Sequence, residues 1–223
     1  MKIWFKKIVS LLFLFSTVGC TTINVDHVQL QEVVNVSKGD TMVVLGRHQS
    51  AEFETEGALV RCLGGKLKRV AGGLNVIDQK EFVDSFYPWF ESRTAPLHPD
   101  KLRVVLEQPL VAKRMNDLQI KYFVWVEGST ERTGSSGSIS CTITPGGGGC
   151  FGFGTWEDTS DYETTIWDVD TLSEVGRIST EAVGTSYMPA IVIPIPLLAQ
   201  VQGDACRGMG KQLVKFFQDN ASN

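Results

Sequence analysis

Two cysteines, Cys141 and Cys150, enclose the segment "TITPGGGG", and the aromatic side chains of Phe151, Phe153 and Trp156 follow closely. Four glycines in a row leave the backbone almost unrestricted, so the cysteines decide what this stretch becomes. Three outcomes are open. A zinc site needs cysteine pairs at closer spacing, with histidine support. A phosphate loop needs the glycines to open a helix and a lysine to meet the phosphates. A disulfide would staple a hairpin. The choice turns on the redox compartment.

The chain begins "MKIWFKKIVSLLFLFSTVGC". Three lysines precede an apolar run from Ile8 to Val18, and small residues lead to Cys20, the layout of a secretory signal. The run is shorter than the roughly 20 apolar residues that a membrane-spanning helix needs. The final "TVGC" resembles a bacterial lipobox, with Thr17 where leucine is commonest. That resemblance implies cleavage after Gly19 and lipidation of Cys20. Thr21 follows in place of the aspartate associated with inner-membrane retention. The expectation is a signal peptide over 1–19, a lipidated tether over 20–40 and a globular domain over 41–223, held at the outer membrane and facing the periplasm. Removing the signal takes three lysines and no acids, moving the formal net charge from −4 to −7. An acidic chain without a basic run has no electrostatic footprint for nucleic acid and no polybasic patch for anionic lipid. Membrane attachment then comes from the lipid anchor alone.

With Cys20 assigned to lipid, Cys62, Cys141, Cys150 and Cys206 remain in an oxidising compartment. Four cysteines allow three pairings, which sequence alone leaves open. Proximity favours Cys141–Cys150, leaving Cys62–Cys206. In the loop-entropy model the short closure contributes about 2.7 kcal/mol and the long one about 5 kcal/mol. The residues after Gly149 read as a strand and contain no lysine, so the stapled hairpin is favoured over both ligand loops.

Roughly 200 residues remain after the leader, enough for one domain with a sizeable core. Residues 21–37 alternate weakly and suit a tether with one edge strand. "TMVVLG" (41–46) reads as a buried strand. "GALVRCLGGKL" has helical spacing, weakened by Gly64 and Gly65 at about 1 kcal/mol each. "LNVID" reads as a strand, and Asp78 opens the capping-box-like "DQKE" before a short helix stopped by Pro88. "DKLRVVLE" and "PLVAKRMNDL" read as short helices, the second with Pro109 at its first position. "IKYFVWVEG" is the strongest strand; "GSISCTIT", "YETTIWDVD" and "EVGRISTEAVG" follow as strands. The last helix places Cys206, Met209, Leu213 and Phe217 on one face. The order β-α-β-α-α-β-β-β-α suggests an α+β fold, a mixed β-sheet covered by α-helices in a single domain. Both Cys62 and Cys206 then lie on helices packed on the sheet.

This succession is similar to a superfamily of bacterial envelope lipoproteins. Its members include the curli secretion channel subunit, the lipoprotein activators of penicillin-binding proteins and the amino-terminal domain of the translocation protein TolB. The resemblance spans roughly 41–217. It rests on a first strand ending near Gly46, a strand running into Asp78, the strand Leu118–Gly128 and a hairpin at Asp168–Gly176. The aromatic "FYPWFESRTAP" and the cysteine pairs mark a distinct subfamily. Channel-forming members carry long amphipathic hairpins. Here the one candidate, around 138–157, is rich in glycine and stapled, which argues against a pore.

His48 and Glu52, four residues apart, are the one candidate metal pair, and their loop context without HExxH favours solvated polar residues over ligands. "GSSGS" (134–138) lacks the G-x-S-x-G order and reads as a hairpin loop. No metal, cofactor or catalytic residue is assigned. Among the aromatics, Phe82 and Phe86 suit the core, while Trp89 and Phe90, beside Pro88, are candidates for partner binding. "YMPAIVIPIPLLAQV" (187–201) contains three prolines and cannot be a spanning helix. Burial along the sheet is favoured over an exposed patch, and in the exposed alternative Ile193 and Ile195 become contact residues. The sequence therefore points to a non-enzymatic accessory lipoprotein that binds an envelope partner or self-assembles. A periplasmic hydrolase or metal-dependent enzyme with an unrecognised site is the alternative.

Overall fold

The protein, as a computed structural model, is described over residues 21–30, 36–37, 39–48, 54–70 and 74–221. The leader, Cys20 and Glu52 lie outside these. Six strands form one mixed sheet: β1 (Thr21–Gln29), β2 (Thr41–Gly46), β3 (Asn75–Ile77), β4 (Ile120–Thr144), β5 (Gly147–Asp168) and β6 (Ser173–Pro194). Their spatial order is β1-β6-β5-β4-β2-β3. Five helices accompany them: α1 (Gly57–Val70), α2 (Gln79–Ser85), α3 (Pro99–Leu106), α4 (Pro109–Asp117) and α5 (Val201–Ala221). This is an α+β fold, and within it the chain separates into two compact units.

The larger unit comprises Ile23–Ser129, Ser160–Glu181 and Gln202–Asn223. Its centre is β2, whose six residues are all buried. β2 pairs in parallel with β3 (Met42 opposite Val76) and with β4 (Met42 opposite Tyr122, Gly46 opposite Val126). A strand buried on both faces reads as a continuous apolar run, as "MVVL" does. Alternate residues point to opposite faces. Val43, Leu45, Phe123 and Trp125 meet Phe82 and Phe86 of α2, Leu102 and Leu106 of α3, and Val111 and Met115 of α4. Phe82 lies at its centre, with ring centroids 4.3, 4.8 and 5.3 Å from those of Phe86, Phe90 and Phe123. Each such aromatic pair adds about 0.5–1.5 kcal/mol beyond area burial.

The opposite face belongs to α1 and α5. Tyr122 meets Phe217 at 5.5 Å, and the Thr164 hydroxyl donates to the Met209 sulfur at 2.8 Å. Leu59, Leu63 and Leu67 of α1 and Met209, Leu213 and Phe217 of α5 are buried at helical spacing. A disulfide joins Cys62 of α1 to Cys206 of α5, with Cα atoms 6.4 Å apart.

Proline marks the start of two of the five helices. Pro99 and Pro109 occupy the first turns of α3 and α4, where a missing N–H costs nothing. Asp78 precedes α2 with extended backbone but makes no side-chain cap. The capping box expected there is absent because the Asp78 carboxylate instead accepts from Lys68 Nζ at 2.7 Å. The β5–β6 connection is closed by Asp168, whose Oδ1 accepts the N–H groups of Asp170 and Thr171, both at 2.9 Å, an Asx turn. Gly128 has φ +121°, and a Cβ there would lie 2.0 Å from the carbonyl oxygen of Asp161. Only glycine permits β4 and β5 to approach so closely at that point.

Candidate functional site

The smaller unit contains residues 21–22 together with Thr130–Thr159 and Ala182–Val201. It is a ribbon built from the outer lengths of β4, β5 and β6. The expected "GSSGS" loop does not exist as such: Gly134–Ser138 lies within a β4 that continues unbroken to Thr144. β4 and β5 are joined by Pro145-Gly146 alone and so run antiparallel. Cys141 and Cys150 face each other across them as a disulfide, with Cα atoms 4.0 Å apart. Thr144 Oγ1 donates to the Gly147 carbonyl at 2.8 Å, closing the tip. Gly152 has φ +147°, and a Cβ there would sit 2.2 Å from the Ser138 carbonyl. The glycines of this stretch thus serve strand geometry, with neither a phosphate loop nor a zinc site.

β6 ends in a tight return. The Tyr187 N–H donates to the Leu197 carbonyl at 2.9 Å, the Leu197 N–H donates back to the Tyr187 carbonyl at 2.7 Å, and the Ile195 N–H donates to Pro189 O at 3.0 Å. Ala199 N–H reaches Ser186 Oγ at 2.9 Å. The proline-rich run is therefore the outer end of β6, up to Pro194, followed by a return that bridges Leu197 back to Tyr187, a place where missing N–H groups are tolerated. Burial of this run, favoured from sequence, is overturned. Ile191 is 79 % exposed, Ile193 68 % and Ile195 59 %, and Ile143 at the other hairpin is 93 % exposed. Phe151, Phe153 and Leu198 are exposed as well. Pro189, Pro194 and Pro196 lack backbone N–H groups, so the run has fewer donors for a strand ladder.

Charge sharpens this picture. Residues 133–156 and 182–203 contain no Asp, Glu, Lys or Arg. At 21 % charged residues overall, stretches of this combined length would carry about ten. The ribbon thus holds exposed apolar side chains on two charge-free runs of an otherwise acidic chain.

Trp89 and Phe90 belong to the other unit. Phe90 is 2 % exposed and stacks among Phe82, Phe86 and Phe123, so its assignment to partner binding is corrected: it is a core residue. Trp89 is half-buried and packs against the same cluster. The exposed aromatic of this segment is Tyr87. Alternation of polar and apolar residues is lost in "FYPWFESR", so nothing in the sequence distinguished inward from outward rings.

Of the candidate pair His48 and Glu52, only His48 lies among the described residues. Its Nε2 lies 2.8 Å from Ser92 Oγ and its Nδ1 3.1 Å from Glu54 Oε1. The order hydroxyl–imidazole–carboxylate is that of a nucleophilic relay, and three separated stretches supply it. The His48 and Glu54 side chains are, however, 32 % and 48 % exposed, where water screens the charges such chemistry must stabilise. A cavity of about 690 Å³ lies at the carboxyl ends of β2 and β3, walled by Gly57, Gly64 and Gly65 of α1 and floored by Val44, Val60 and Ile77. Lys68 and Asp78 at its rim are paired with each other. Burial, reinforced by Asp168, Asp40 and Asp170, pushes the Tyr122 phenol above its usual range, so it stays protonated and is no base. Among the described residues no three His, Cys, Asp or Glu side chains cluster as metal ligands, and no helix is long and apolar enough to cross a membrane.

No protein-family model matches the chain, and no curated protein sequence does. Among solved structures it is similar to a PelC dodecamer from Paraburkholderia phytofirmans. The identity is 11 %, covering 86 % of this chain and 96 % of that one, at a TM-score of 0.42. A leucine-to-methionine variant of the same dodecamer in another crystal form aligns at 11 % identity over 88 % and 96 %, with a TM-score of 0.39. Scores of this size do not establish a common fold.

Proposed function

We propose that this protein is a non-enzymatic, outer-membrane-anchored periplasmic lipoprotein, an accessory, assembly or partner-binding module of the cell envelope. Its contact surface is the ribbon of the smaller unit. The observation that carries the reading is the charge-free pair of runs 133–156 and 182–203, which hold Ile143, Phe151, Ile191, Ile193 and Ile195 at the surface. Binding energy concentrates in such apolar anchors once a partner excludes water from them. Cys20, the lipidation site of this reading, immediately precedes Thr21, which belongs to the same unit. The proposed membership of the envelope-lipoprotein superfamily is part of the reading.

The test places a photoreactive side chain at Ile193, and separately at Arg114 on α4, in living cells. Irradiation at Ile193 should give discrete adducts with envelope components, and irradiation at Arg114 should not. Cys20→Ala should leave the protein soluble in the periplasm or uncleaved. Equal labelling from both sites, or unchanged outer-membrane fractionation of Cys20→Ala, would refute the proposal.

The relay Ser92–His48–Glu54 favours the second reading, a periplasmic hydrolase. That reading requires an activated-serine probe to label the purified protein at Ser92 and Ser92→Ala to remove the labelling. Absence of labelling eliminates it.

A further inference from the structure

The edge of β4 within the ribbon is open. β4 has two neighbours in the sheet, β5 and β2, and β2 follows it only as far as Val126. Among the described residues, nothing pairs with the other side of 138–144. The short Cα separation of Cys141 and Cys150, 4.0 Å, identifies them as a non-hydrogen-bonded pair of the β4–β5 ladder. The N–H and C=O of Cys141 therefore point away from β5, and by alternation so do those of Ile139 and Ile143. An unpaired row of backbone donors and acceptors is a template for another strand.

The rest of the ribbon narrows the occupant. Natural edges are blunted by proline, charge or a covering segment. The opposite margin has two of these, since the return after β6 bridges to Tyr187 through Leu197, and prolines stand at the end of β6 (Pro194) and in the return (Pro196). β4 has none: 138–144 contains no proline and no charge. The sequence of this stretch is Ser-Ile-Ser-Cys-Thr-Ile-Thr, which reads nearly the same in both directions about Cys141. A two-fold axis at Cys141 would set two copies antiparallel, with Ile139 opposite Ile143 of the second copy and Ser140 opposite Thr142. Isoleucine then meets isoleucine on one face and hydroxyl meets hydroxyl on the other, and such cross-strand pairs stabilise sheets. The groups aimed outward, those of residues 139, 141 and 143, are the ones this axis brings together, making about six backbone hydrogen bonds. Two chains of net charge −7 after loss of the leader repel over most of their surface, and the ribbon is where that repulsion is least.

We infer that the protein self-associates through its β4 edge, forming a two-fold antiparallel β4–β4 pair centred on Cys141. This is an isologous contact, the commonest kind in homodimers. The disulfide prepares it by holding β4 on β5, so the strand is ordered before the second copy arrives. The inference deepens the reading of the ribbon as a contact surface and names a second copy of this chain as one occupant.

The experiment uses the full mature protein in detergent, with mass measured by sedimentation over a range of concentrations. Wild type should form a dimer. Ile139→Lys combined with Ile143→Lys places like charges opposite each other and should raise the dimer dissociation constant by about tenfold or more. Ile139→Lys combined with Ile143→Glu places opposite charges across the axis and should restore the dimer. Ile139→Pro removes an N–H that points at the second copy and not at β5, so it should give a monomer with unchanged circular dichroism. A wild type monomeric up to its solubility limit overturns the proposal. So do equal losses in the Lys/Lys and Lys/Glu variants, or a larger closed ring. If that happens while a photoreactive group at Ile193 still captures envelope components, the self-pairing fails and the contact-surface reading stands. Loss of the Ile193 adducts with the dimer intact fails the wider reading alone.

Discussion

Replacing Cys62 and Cys206 together by alanine tests how α1 and α5 hold the larger unit. The bond closes a loop with a sequence separation of 144. Constraining a loop of that length lowers the entropy of the unfolded chain by the equivalent of about 5 kcal/mol at 25 °C. Cys206 is also buried, and removing its sulfur leaves a small void worth about 1 kcal/mol more. Domains of this size have net stabilities of about 5–15 kcal/mol, so the pair contributes a third or more of the total. Trp89, Trp125 and Trp167 all belong to this unit, and tryptophan fluorescence in a urea titration follows its unfolding. The alanine pair should lower the midpoint sharply and steepen the slope, because the unlinked chain exposes more surface when unfolded. The matching control, Cys141→Ala with Cys150→Ala, opens a loop with a separation of 9, worth about 2.7 kcal/mol by the same model. It lies in the other unit and should move the Trp-reported midpoint much less. Equal shifts for the two pairs, or none for Cys62 and Cys206, would refute the argument.

Two further substitutions probe the packing. Phe90→Ala should cost about 3–5 kcal/mol as a buried aromatic truncation; Trp89→Ala, half-buried, should cost less, and urea midpoints rank them. Gly128→Ala forces a side chain against the Asp161 carbonyl at a positive φ; it should destabilise by more than the roughly 1 kcal/mol that the same change adds to stability at a compatible site and be detectable as a lowered melting temperature.

Where packing and local signal agree, the sequence was explicit. The run "MVVL" of β2, the opening "IKYFVWV" of β4, the prolines that start α3 and α4, and the apolar stripe of α5 all emerge as read. The end of β4, "GSISCTIT", was read as a strand, but the stretch before it was illegible because glycines and serines have no strand preference of their own. Gly134–Ser138 is extended because β5 pairs with it, and pairing is a tertiary fact. Ile193 and Phe90 fail in opposite directions for one reason. Hydrophobicity favours burial without saying which apolar residues the fold has room to bury. The relay of Ser92, His48 and Glu54 has no motif, since residues from three stretches meet only after folding.

The two disulfides are nested: Cys141–Cys150 lies wholly inside the loop closed by Cys62–Cys206. A ribosome delivers Cys62 first, then Cys141 and Cys150, and Cys206 last. Joining thiols in order of appearance would give Cys62–Cys141 and Cys150–Cys206, neither of which is native. The inner pair escapes that error because closing so short a loop costs the least entropy. Once closed, it withdraws from exchange both thiols that could have captured Cys62 too early. Cys62 is left with a single suitor, carried on α5, so the outer bond waits until the chain has been made as far as Cys206.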